Sequence, residues 1–159
     1  MSSFRKIIYS SLLFITACGF SPLYTGNDPS RLIGQIRIQE PNSQDEFIFY
    51  SRLVDRFDQA DDKYILNYAI TSTKEDRALN FDGTAHRVEI FGSVSFSLKD
   101  KEKEIELLYD KEEMYLTYSN AGSTAAVLNA ERDTNKQLII LLADKVADRI
   151  SLTIVEENL

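Results

Sequence analysis

Cys18 is the one cysteine of this 159-residue chain, and its thiol is the most reactive side chain that the sequence offers. A single cysteine excludes an intramolecular disulfide and any metal site built from several thiolates. The thiol follows an apolar segment, Ile7 to Ala17, and precedes the turn-forming residues Pro22 and Gly26. A free thiol is prone to oxidation in an extracytoplasmic compartment. The sequence therefore predicts a modified sulfur at Cys18, with a free or buried thiol as the alternative.

The segment before Cys18 has the layout of a secretory signal. Arg5 and Lys6 supply a positive start, Ile7 to Ala17 is the apolar part, and the small pair Thr16-Ala17 stands at the cleavage position. The apolar part has about 11 residues, against roughly 20 for a helix that spans a bilayer. We therefore predict that residues 1–17 are a removable signal peptide and not a membrane anchor.

Residues Ile15-Thr16-Ala17-Cys18 resemble the lipobox of bacterial lipoproteins, with Ile15 in the place where leucine is commonest. This resemblance implies cleavage before Cys18, a diacylglycerol on its sulfur and an acyl chain on its new amino group. Two or more chains give stable membrane attachment. The next residue is Gly19 and not the aspartate that retains enteric lipoproteins at the inner membrane, which favours the outer membrane. We expect this covalent lipid and no other cofactor.

Charge and length limit what the mature chain can be. Without residues 1–17 it has 142 residues, the size of one domain. It then carries 16 basic and 25 acidic residues, a net charge of −9. Sequence-independent nucleic-acid binding depends on phosphate neutralisation by Lys and Arg, so we expect no nucleic-acid partner.

The sequence offers no constellation typical of an enzyme. The only histidine, His86, has no recognisable serine elbow to activate, and its one possible thiol partner is Cys18. The pairs Asp61-Asp62 and Glu112-Glu113 are typical of solvated loops and edges. No glycine-rich phosphate loop and no zinc-ligand spacing occur. We therefore predict a protein that catalyses no reaction and holds no metal.

The first part of the mature chain divides into a tether and the start of a domain. Residues 18–31 contain Pro, Gly and Asn and predict a lipidated tether, whereas 32–159 predict one domain. Ile33 to Gln39 predicts a strand. Ser43 with Glu46 three residues later is a capping box that predicts a helix to about Gln59. The apolar face of that helix is expected to comprise Phe47, Tyr50, Leu53, Val54 and Phe57.

Three strands follow, each with apolar residues at alternate positions. The first carries Tyr64, Leu66, Tyr68 and Ile70, and the second carries Val88, Ile90, Val94, Phe96 and Leu98. Residues 73–87 predict a long hairpin loop around Asp82-Gly83, and residues 99–104 predict a second loop. The last strand, Ile105 to Tyr118, changes the phase of its alternation, which predicts a bulge between Asp110 and Glu113.

A long helix from Ser123 or Thr124 to about Ile154 ends the chain. Its apolar residues lie close to one stripe: Leu128, Leu138, Ile139, Leu142, Val146 and Ile150. The element order is therefore β-α-β-β-β-α. An amphipathic helix buries its stripe most economically on the apolar face of a sheet. The predicted fold is α+β, with two helices packed on one face of a four-stranded, mostly antiparallel sheet.

Several segments together resemble the lipopolysaccharide-assembly lipoprotein family, LptE. They are Cys18-Gly19-Phe20-Ser21-Pro22-Leu23-Tyr24, the strand opening Thr84 to Arg87, the tyrosine-rich stretch Tyr115 to Asp133, and the element order. The first is the most specific. Thr25 precedes Gly26 where members commonly have Gly directly after the tyrosine, and Glu131-Arg132-Asp133 is less basic than the corresponding run in relatives.

The resemblance implies a non-enzymatic outer-membrane lipoprotein. Members plug the lumen of the lipopolysaccharide-assembly β-barrel LptD, help it to assemble, and assist insertion of lipopolysaccharide into the outer leaflet. The domain would then lie on the periplasmic side or inside the barrel. The alternative is a membrane-anchored carrier of a lipid or small ligand in the periplasm, which would require an apolar cavity between helices and sheet.

Two sets of side chains are candidates for these contacts. Those for the barrel partner are Phe20, Pro22, Leu23, Tyr24, Tyr115 and Tyr118, with a plain tether or core packing as the alternative. Those for lipopolysaccharide phosphates are Lys74, Arg77 and Arg87, with His86 as a pH-sensitive helper. A solvated loop in which Glu75, Asp76 and Asp82 balance the cations is the alternative for this second set.

Overall fold

The computed structural model describes residues 34–57, 62–79 and 85–157, and for residues 77–79, 85–86 and 155–157 it describes the backbone only. The predictions for the signal peptide, for Cys18 and for the tether residues Phe20, Pro22, Leu23 and Tyr24 lie outside the described residues.

The described elements occur in the predicted order, β-α-β-β-β-α. They are β1 (Ile36–Ile38), α1 (Gln44–Phe57), β2 (Tyr64–Leu79), β3 (Ala85–Asp100), β4 (Ile105–Ser119) and α2 (Thr124–Glu157). The sheet has the strand order β1-β2-β3-β4, in which β1 pairs in parallel with β2 and the other pairs are antiparallel. The predicted α+β fold with a mostly antiparallel sheet is confirmed.

The first helix begins at the predicted capping box. The Ser43 hydroxyl oxygen accepts the Glu46 N–H at 3.2 Å, and the Glu46 carboxylate accepts the Asn42 N–H at 2.7 Å. The return contact thus reaches one residue before the serine. Both bonds satisfy backbone donors that the first turn of a helix leaves without an intrahelical acceptor.

The buried face of α1 contains Phe49 in place of the predicted Phe47. Phe49, Leu53 and Phe57 are buried, whereas Phe47, which we expected in the core, is 62% exposed. Residues four apart lie on one side of a helix, so 49, 53 and 57 form a continuous stripe. Position 47 lies about 200° from 49 and therefore faces solvent.

The core lies between this helix pair and one face of the sheet. Its strand residues are Ile36, Ile38, Tyr64, Leu66, Tyr68, Val88, Ile90, Val94, Phe96, Leu98 and Tyr118, and α2 adds Leu138, Ile139, Leu142, Ala143, Val146, Ala147, Ile150 and Ile154. Leu128, which we expected on the buried stripe of α2, is 48% exposed, because the buried stripe that packs on the sheet begins at Leu138. We call this side of the sheet the covered face and the other side the open face. Gly92 allows α2 to approach β3, because a Cβ there would lie 2.9 Å from Leu138 Cδ2.

The hairpin between β2 and β3 is longer than the sequence predicts. Lys74 and Arg87, which we expected in a loop, belong to paired strands: Lys74 lies opposite Ile90, and Arg87 lies opposite Ala78. The register shifts on either side of Ala78. The mainly polar run in residues 73–79 carries little apolar alternation, so the pattern that predicts strands fails there although the backbone pairing continues.

The predicted bulge in β4 is also misplaced. Pairing with β3 is regular from Leu108 to Ser119, and the register shifts at Leu107 instead of at residues 110–113. The apolar alternation is interrupted because Asp110 and Glu112 occupy covered-face positions. There they meet basic residues of α2 in ion pairs, so a change of chemistry and not of backbone explains the pattern.

The two helices differ in the length of sheet that they cover. At 1.5 Å per residue α1 is about 21 Å long and α2 about 51 Å, while β2 extends over about 53 Å. Arg52 with Asp144, and Asn135 with Asp45, connect the helices at 2.9 Å. Helix α1 is therefore less than half as long as β2, which it contacts through Phe49 and Tyr68, with ring centroids 4.8 Å apart. Farther along the strand, Lys74 contacts α2 through Glu131.

Candidate interaction surfaces

The described part of the chain offers several surfaces as candidate sites. Across residues 34–57, 62–79 and 85–157, no group of three His, Cys, Asp or Glu side chains has the proximity to hold a metal ion. In the same ranges, neither helix combines the length and the apolar composition needed to cross a membrane.

One surface is a shallow cavity of about 290 Å³ bordered by β2, β3 and α2. Its lining consists of Ser72, Lys74, Ile90, Glu131, Arg132 and Asn135. Besides the Ser72 hydroxyl, four of these six side chains are polar or charged, so the cavity suits a polar group better than an acyl chain.

Two of the lining residues, Lys74 and Glu131, belong to a network of three residues that Tyr118 completes. The Lys74 ammonium donates to Glu131 Oε1 at 2.6 Å, and the Tyr118 hydroxyl donates to Glu131 Oε2 at 3.2 Å. The bond with Lys74 lowers the pKa of Glu131, and the same bond raises the pKa of Lys74. Burial is the main cause that raises the pKa of Tyr118. Lys74 is thus already paired with a carboxylate of its own chain.

The four candidate lipopolysaccharide contacts do not all share one surface. Lys74 lies on the covered face, because its partner Ile90 does, whereas Arg87 pairs with Ser119 and lies exposed on the open face. The backbone of Arg77 lies in β2 and that of His86 in β3, and their side chains are outside the description. Lys74 and Arg87 would therefore meet a ligand from opposite sides of the hairpin.

The open face has a composition of its own. The central strand β3 contributes Ser93, Ser95 and Ser97, and the Ser93 hydroxyl hydrogen-bonds Thr71 Oγ1 at 2.9 Å. On β4, Lys111 and Glu113 form an ion pair of 2.6 Å. The middle of this face therefore carries hydroxyls and one self-compensating pair of charges.

Two tyrosines of β4 flank that ion pair on the open face. Tyr109 is 70% exposed and Tyr115 is 63% exposed. Tyr115 lies opposite Phe91, which is half-buried, and Tyr109 lies opposite Ser97. Tyrosine is enriched at protein interfaces, where charged residues are depleted. The exposure of Tyr115 is compatible with the predicted contact, and Tyr109 belongs to the same surface.

Tyr118, the other strand tyrosine among the candidates, does not share this surface. It lies on the covered face opposite Val88, is 9% exposed, and uses its hydroxyl for Glu131. Tyr118 lies three positions after Tyr115, and side chains an odd number of positions apart point to opposite faces of a strand. The structure thus makes Tyr118 a core residue and leaves little of its ring for a partner.

A second cavity, of about 370 Å³, lies at the opposite end of the sheet. It is lined by Asp62, Lys63, Lys101 and Glu102, and the Asp62 carboxylate accepts from Lys101 and from Arg37. Nearby, Asp100 accepts the N–H groups of Lys103 and Glu102, which hold the turn and lower the pKa of its carboxyl. Both cavities are thus lined mainly by polar or charged residues, whereas a carrier requires an apolar cavity.

Sequence reasoning missed the contacts made by α2. Glu131 is the hub of the Lys74 and Tyr118 contacts, and Lys145 and Arg149 pair with Glu112 and Asp110 on β4. The sequence separation between these partners exceeds 30 residues in three of the four pairs, so no local pattern indicates them. The one available signal was the unexplained acidic interruption in β4.

Comparison with known proteins gives one family and several solved structures. The model of the LptE family, described as lipopolysaccharide-assembly, matches residues 33–150. No curated protein sequence matches the chain.

Three of the similar structures are lipoproteins. One from Caulobacter crescentus CB15 is 18% identical, with a TM-score of 0.65, and the match covers 81% of this chain and 96% of that one. The rare lipoprotein B of Shewanella oneidensis is 18% identical, with a TM-score of 0.59 and coverage of 79% and 98%. A minor lipoprotein of Acinetobacter baumannii is 17% identical, with a TM-score of 0.56 and coverage of 76% and 92%. At these identities the structural likeness establishes the fold alone.

Proposed function

This chain belongs to the LptE family of lipopolysaccharide-assembly proteins, and from that premise we propose that it is a lipid-anchored plug of the outer-membrane barrel that assembles lipopolysaccharide. In this role the domain occupies the lumen of an LptD-like barrel, helps the barrel to fold correctly, and assists insertion of lipopolysaccharide into the outer leaflet. It forms and breaks no covalent bond. Diacylglycerol and an N-acyl chain on Cys18 hold it at the membrane.

The filled core is the observation that carries this proposal. Leu138, Ile139 and Leu142 of α2 are 0% exposed, as are Leu66 and Val94 of the sheet facing them. The two cavities described above lie outside this core and are lined largely by charged or polar groups. A carrier needs an apolar cavity, whereas a plug needs a solid interior and a polar exterior that suits the polar lumen of a large barrel.

For contacts with the barrel we propose the open face around Tyr115, together with Phe20, Pro22, Leu23 and Tyr24 of the tether. The exposed ring of Tyr115 supports this assignment, and the half-buried Phe91 opposite it adds a second aromatic ring to the same face. The tether residues lie outside the described residues and enter as a prediction from the sequence.

For lipopolysaccharide we propose the far end of the β2–β3 hairpin, with Arg77, His86 and Arg87 as the contacts. Arg87 lies opposite Ala78, the residue after Arg77, and Leu79 lies opposite Ala85, the residue before His86. Cations there would bind phosphate by charge-assisted hydrogen bonds. Lys74 has the weaker claim, because Glu131 already neutralises it at 2.6 Å. We expect Arg77→Ala/Arg87→Ala to weaken lipopolysaccharide binding more than Lys74→Ala does.

The proposal is tested by an affinity pull-down of the tagged full chain from detergent-solubilised outer membranes. We expect one large β-barrel protein to be recovered in a near-equal amount. Recovery of the chain alone, or with a small hydrophobic ligand, would contradict the plug and support the carrier.

The lipid anchor has its own test. Cys18→Ser should abolish labelling by a lipid precursor and, in cells that lack the barrel partner, release the chain from the outer membrane. A Cys18→Ser chain that still fractionates fully with that membrane in such cells would show that the anchor lies elsewhere.

A further inference from the structure

The outer side of β4 is a free sheet edge of unusual length. In the described part of the chain β4 pairs with β3 only, and it continues over Ile105–Ser119. A long free edge presents a row of backbone donors and acceptors to which another strand can add. Regular pairing from Leu108 to Ser119 leaves no bulge along most of this edge. Some other feature must therefore keep a second strand away.

Two side-chain contacts occupy backbone groups in the middle of β4. The Asp110 carboxylate accepts the Lys111 N–H at 2.8 Å, and the Lys145 ammonium donates to the Glu113 carbonyl at 3.2 Å. In an antiparallel ladder the backbone groups of alternate residues point away from the neighbouring strand together. Residues 111 and 113 are two apart, so both contacts fall on one such set, and that set faces the free edge.

Helix α2 holds both contacts in place. The Arg149 guanidinium donates to the second oxygen of Asp110 at 2.8 Å, and Lys145 also donates to the Glu112 carboxylate at 2.8 Å. Lys145 and Arg149 are four residues apart and therefore lie on the same side of the helix. Asp110 and Glu112 lie on the covered face, so these side chains reach round the edge from the core side.

We propose that Lys145, through its bond to the Glu113 carbonyl, closes the free edge of β4 against strand addition by a second copy of this chain. A second copy is the relevant occupant because the open face of β4 is self-complementary. If two β4 strands paired antiparallel about Glu112, Lys111 of each would face Glu113 of the other, and Tyr109 would face Tyr115. Opposite charges and aromatic pairs at such positions stabilise a sheet. In the same register Glu112 would face Glu112 of the other copy. The wild-type chain therefore opposes this pairing in two ways, through the Lys145 bond to the Glu113 carbonyl and through this pair of acidic side chains.

The test removes both obstacles without a change of net charge. In Lys145→Met/Glu112→Gln the aliphatic stem stays, the donor to Glu113 is lost, and the acidic pair on the axis is neutral. The matched control is Lys136→Met/Glu106→Gln, which changes an exposed lysine of α2 and an exposed glutamate of β4. Sedimentation velocity of the full mature chain in detergent measures the dissociation constant of the dimer, with circular dichroism as the check on folding.

We expect the open variant to dimerise at least about tenfold more tightly than wild type and control, since a hydrogen bond or two becomes available across the pair. Lys145→Arg/Glu112→Gln, which keeps a donor, should remain monomeric. An open variant that folds normally and stays as monomeric as the control overturns the proposal.

Charge variants made in the open background test where the pairing occurs. With Lys111→Glu both open-face charges are acidic, and with Glu113→Lys both are basic, so each chain by itself should lose its self-association. An equal mixture of the two should recover a heterodimer, which an ion pair within one chain cannot produce. Dimerisation that ignores both substitutions would place the contact away from β4 and refute the edge assignment. None of these outcomes depends on the barrel partner.

Discussion

The two faces of β3 have opposite compositions although they belong to one strand. On the covered face Val94, Phe96 and Leu98 are 0%, 1% and 0% exposed and pack beneath the helices. On the open face the intervening residues are Ser93, Ser95 and Ser97. The period of two along a strand separates these sets completely. The covered face therefore supplies stability, and the open face is free to serve as a surface.

The open face is also distinct from the outer surface of the helices. Along α1 and α2 the outer residues form ion pairs, the part-buried Arg52 with Asp144 and the exposed Arg56 with Asp148. In the middle of the open face Lys111 and Glu113 compensate each other and serines occupy the centre. A surface that is poor in net charge and has exposed tyrosines at one side is typical of an interface, whereas the helices have a typical solvated exterior. If this interpretation is correct, equivalent substitutions on the two faces must act on different properties.

The largest difference is expected for truncation of the core. Leu142→Ala removes a side chain that is 0% exposed and should lower the free energy of unfolding by about 2–5 kcal/mol. Ser95→Ala on the open face should change it by less than about 0.5 kcal/mol. Urea unfolding followed by circular dichroism measures both. A Ser95→Ala chain as unstable as Leu142→Ala would mean that the open face is part of a core.

The second difference concerns space between β3 and α2. Gly92→Val places atoms where a Cβ alone would be 2.9 Å from Leu138, so we expect a loss of about 1–3 kcal/mol. Ser95→Val adds a β-branched residue to the same strand on the open face, where β-propensity favours it. Thermal unfolding should separate the two variants in opposite directions. A Gly92→Val chain as stable as the wild type would contradict the close approach of α2 to β3.

A matched pair of tyrosines sharpens the comparison further. Tyr118→Phe removes the hydroxyl that donates to Glu131 and should cost about 0.5–1.5 kcal/mol. Tyr115→Phe removes an exposed hydroxyl and should leave the free energy of unfolding unchanged. Recovery of the barrel in the pull-down should instead depend on Tyr115. We expect Tyr115→Ala to reduce that recovery more than Tyr118→Phe does. Equal effects of the two Phe variants on stability would contradict the assignment of these tyrosines to opposite faces.

Much of the fold could be predicted from the sequence because its elements have clear periods. The alternation of Val88, Ile90, Val94, Phe96 and Leu98 defines β3, and the capping box defines the start of α1. The errors occur where local pattern and tertiary contact disagree. Phe47 is apolar and exposed, and the extension of β2 beyond Thr73 is polar yet paired.

The candidate surfaces were harder to predict than the fold. The polarity of Asp110 and Glu112 indicated a bulge, because nothing near them in sequence reveals that Arg149 and Lys145 neutralise them. The spacing of Tyr115 and Tyr118 along one strand already places them on opposite faces, but only the register with β3 shows that Tyr118 is the one on the covered face. Contacts between distant elements decide such questions, and a single sequence does not contain them in readable form.

The smallest effect concerns the carboxylates that border the covered face. The Lys111 N–H and then Arg149 lower the pKa of Asp110 below its ordinary value of 3.8. Lys74, before any other contact, lowers the pKa of Glu131 below its ordinary value of 4.5. A carboxyl with a lowered pKa stabilises the fold above its unfolded pKa, and that stabilisation disappears as the pH falls through its folded pKa. Both groups lie near the surface, so solvent screening keeps the effect small.

We therefore compare wild type with Asp110→Asn/Glu131→Gln by thermal unfolding at a series of pH values. The wild type should be the more stable chain at neutral pH, and the difference should stay constant down to about pH 5. It should then shrink as Asp110 and Glu131 take up protons in the folded state. A difference in thermal stability that is the same at neutral and at acidic pH would contradict this prediction. The two carboxylates would then contribute through their shape and not through their charge, and packing would account for the stability of the border of the covered face.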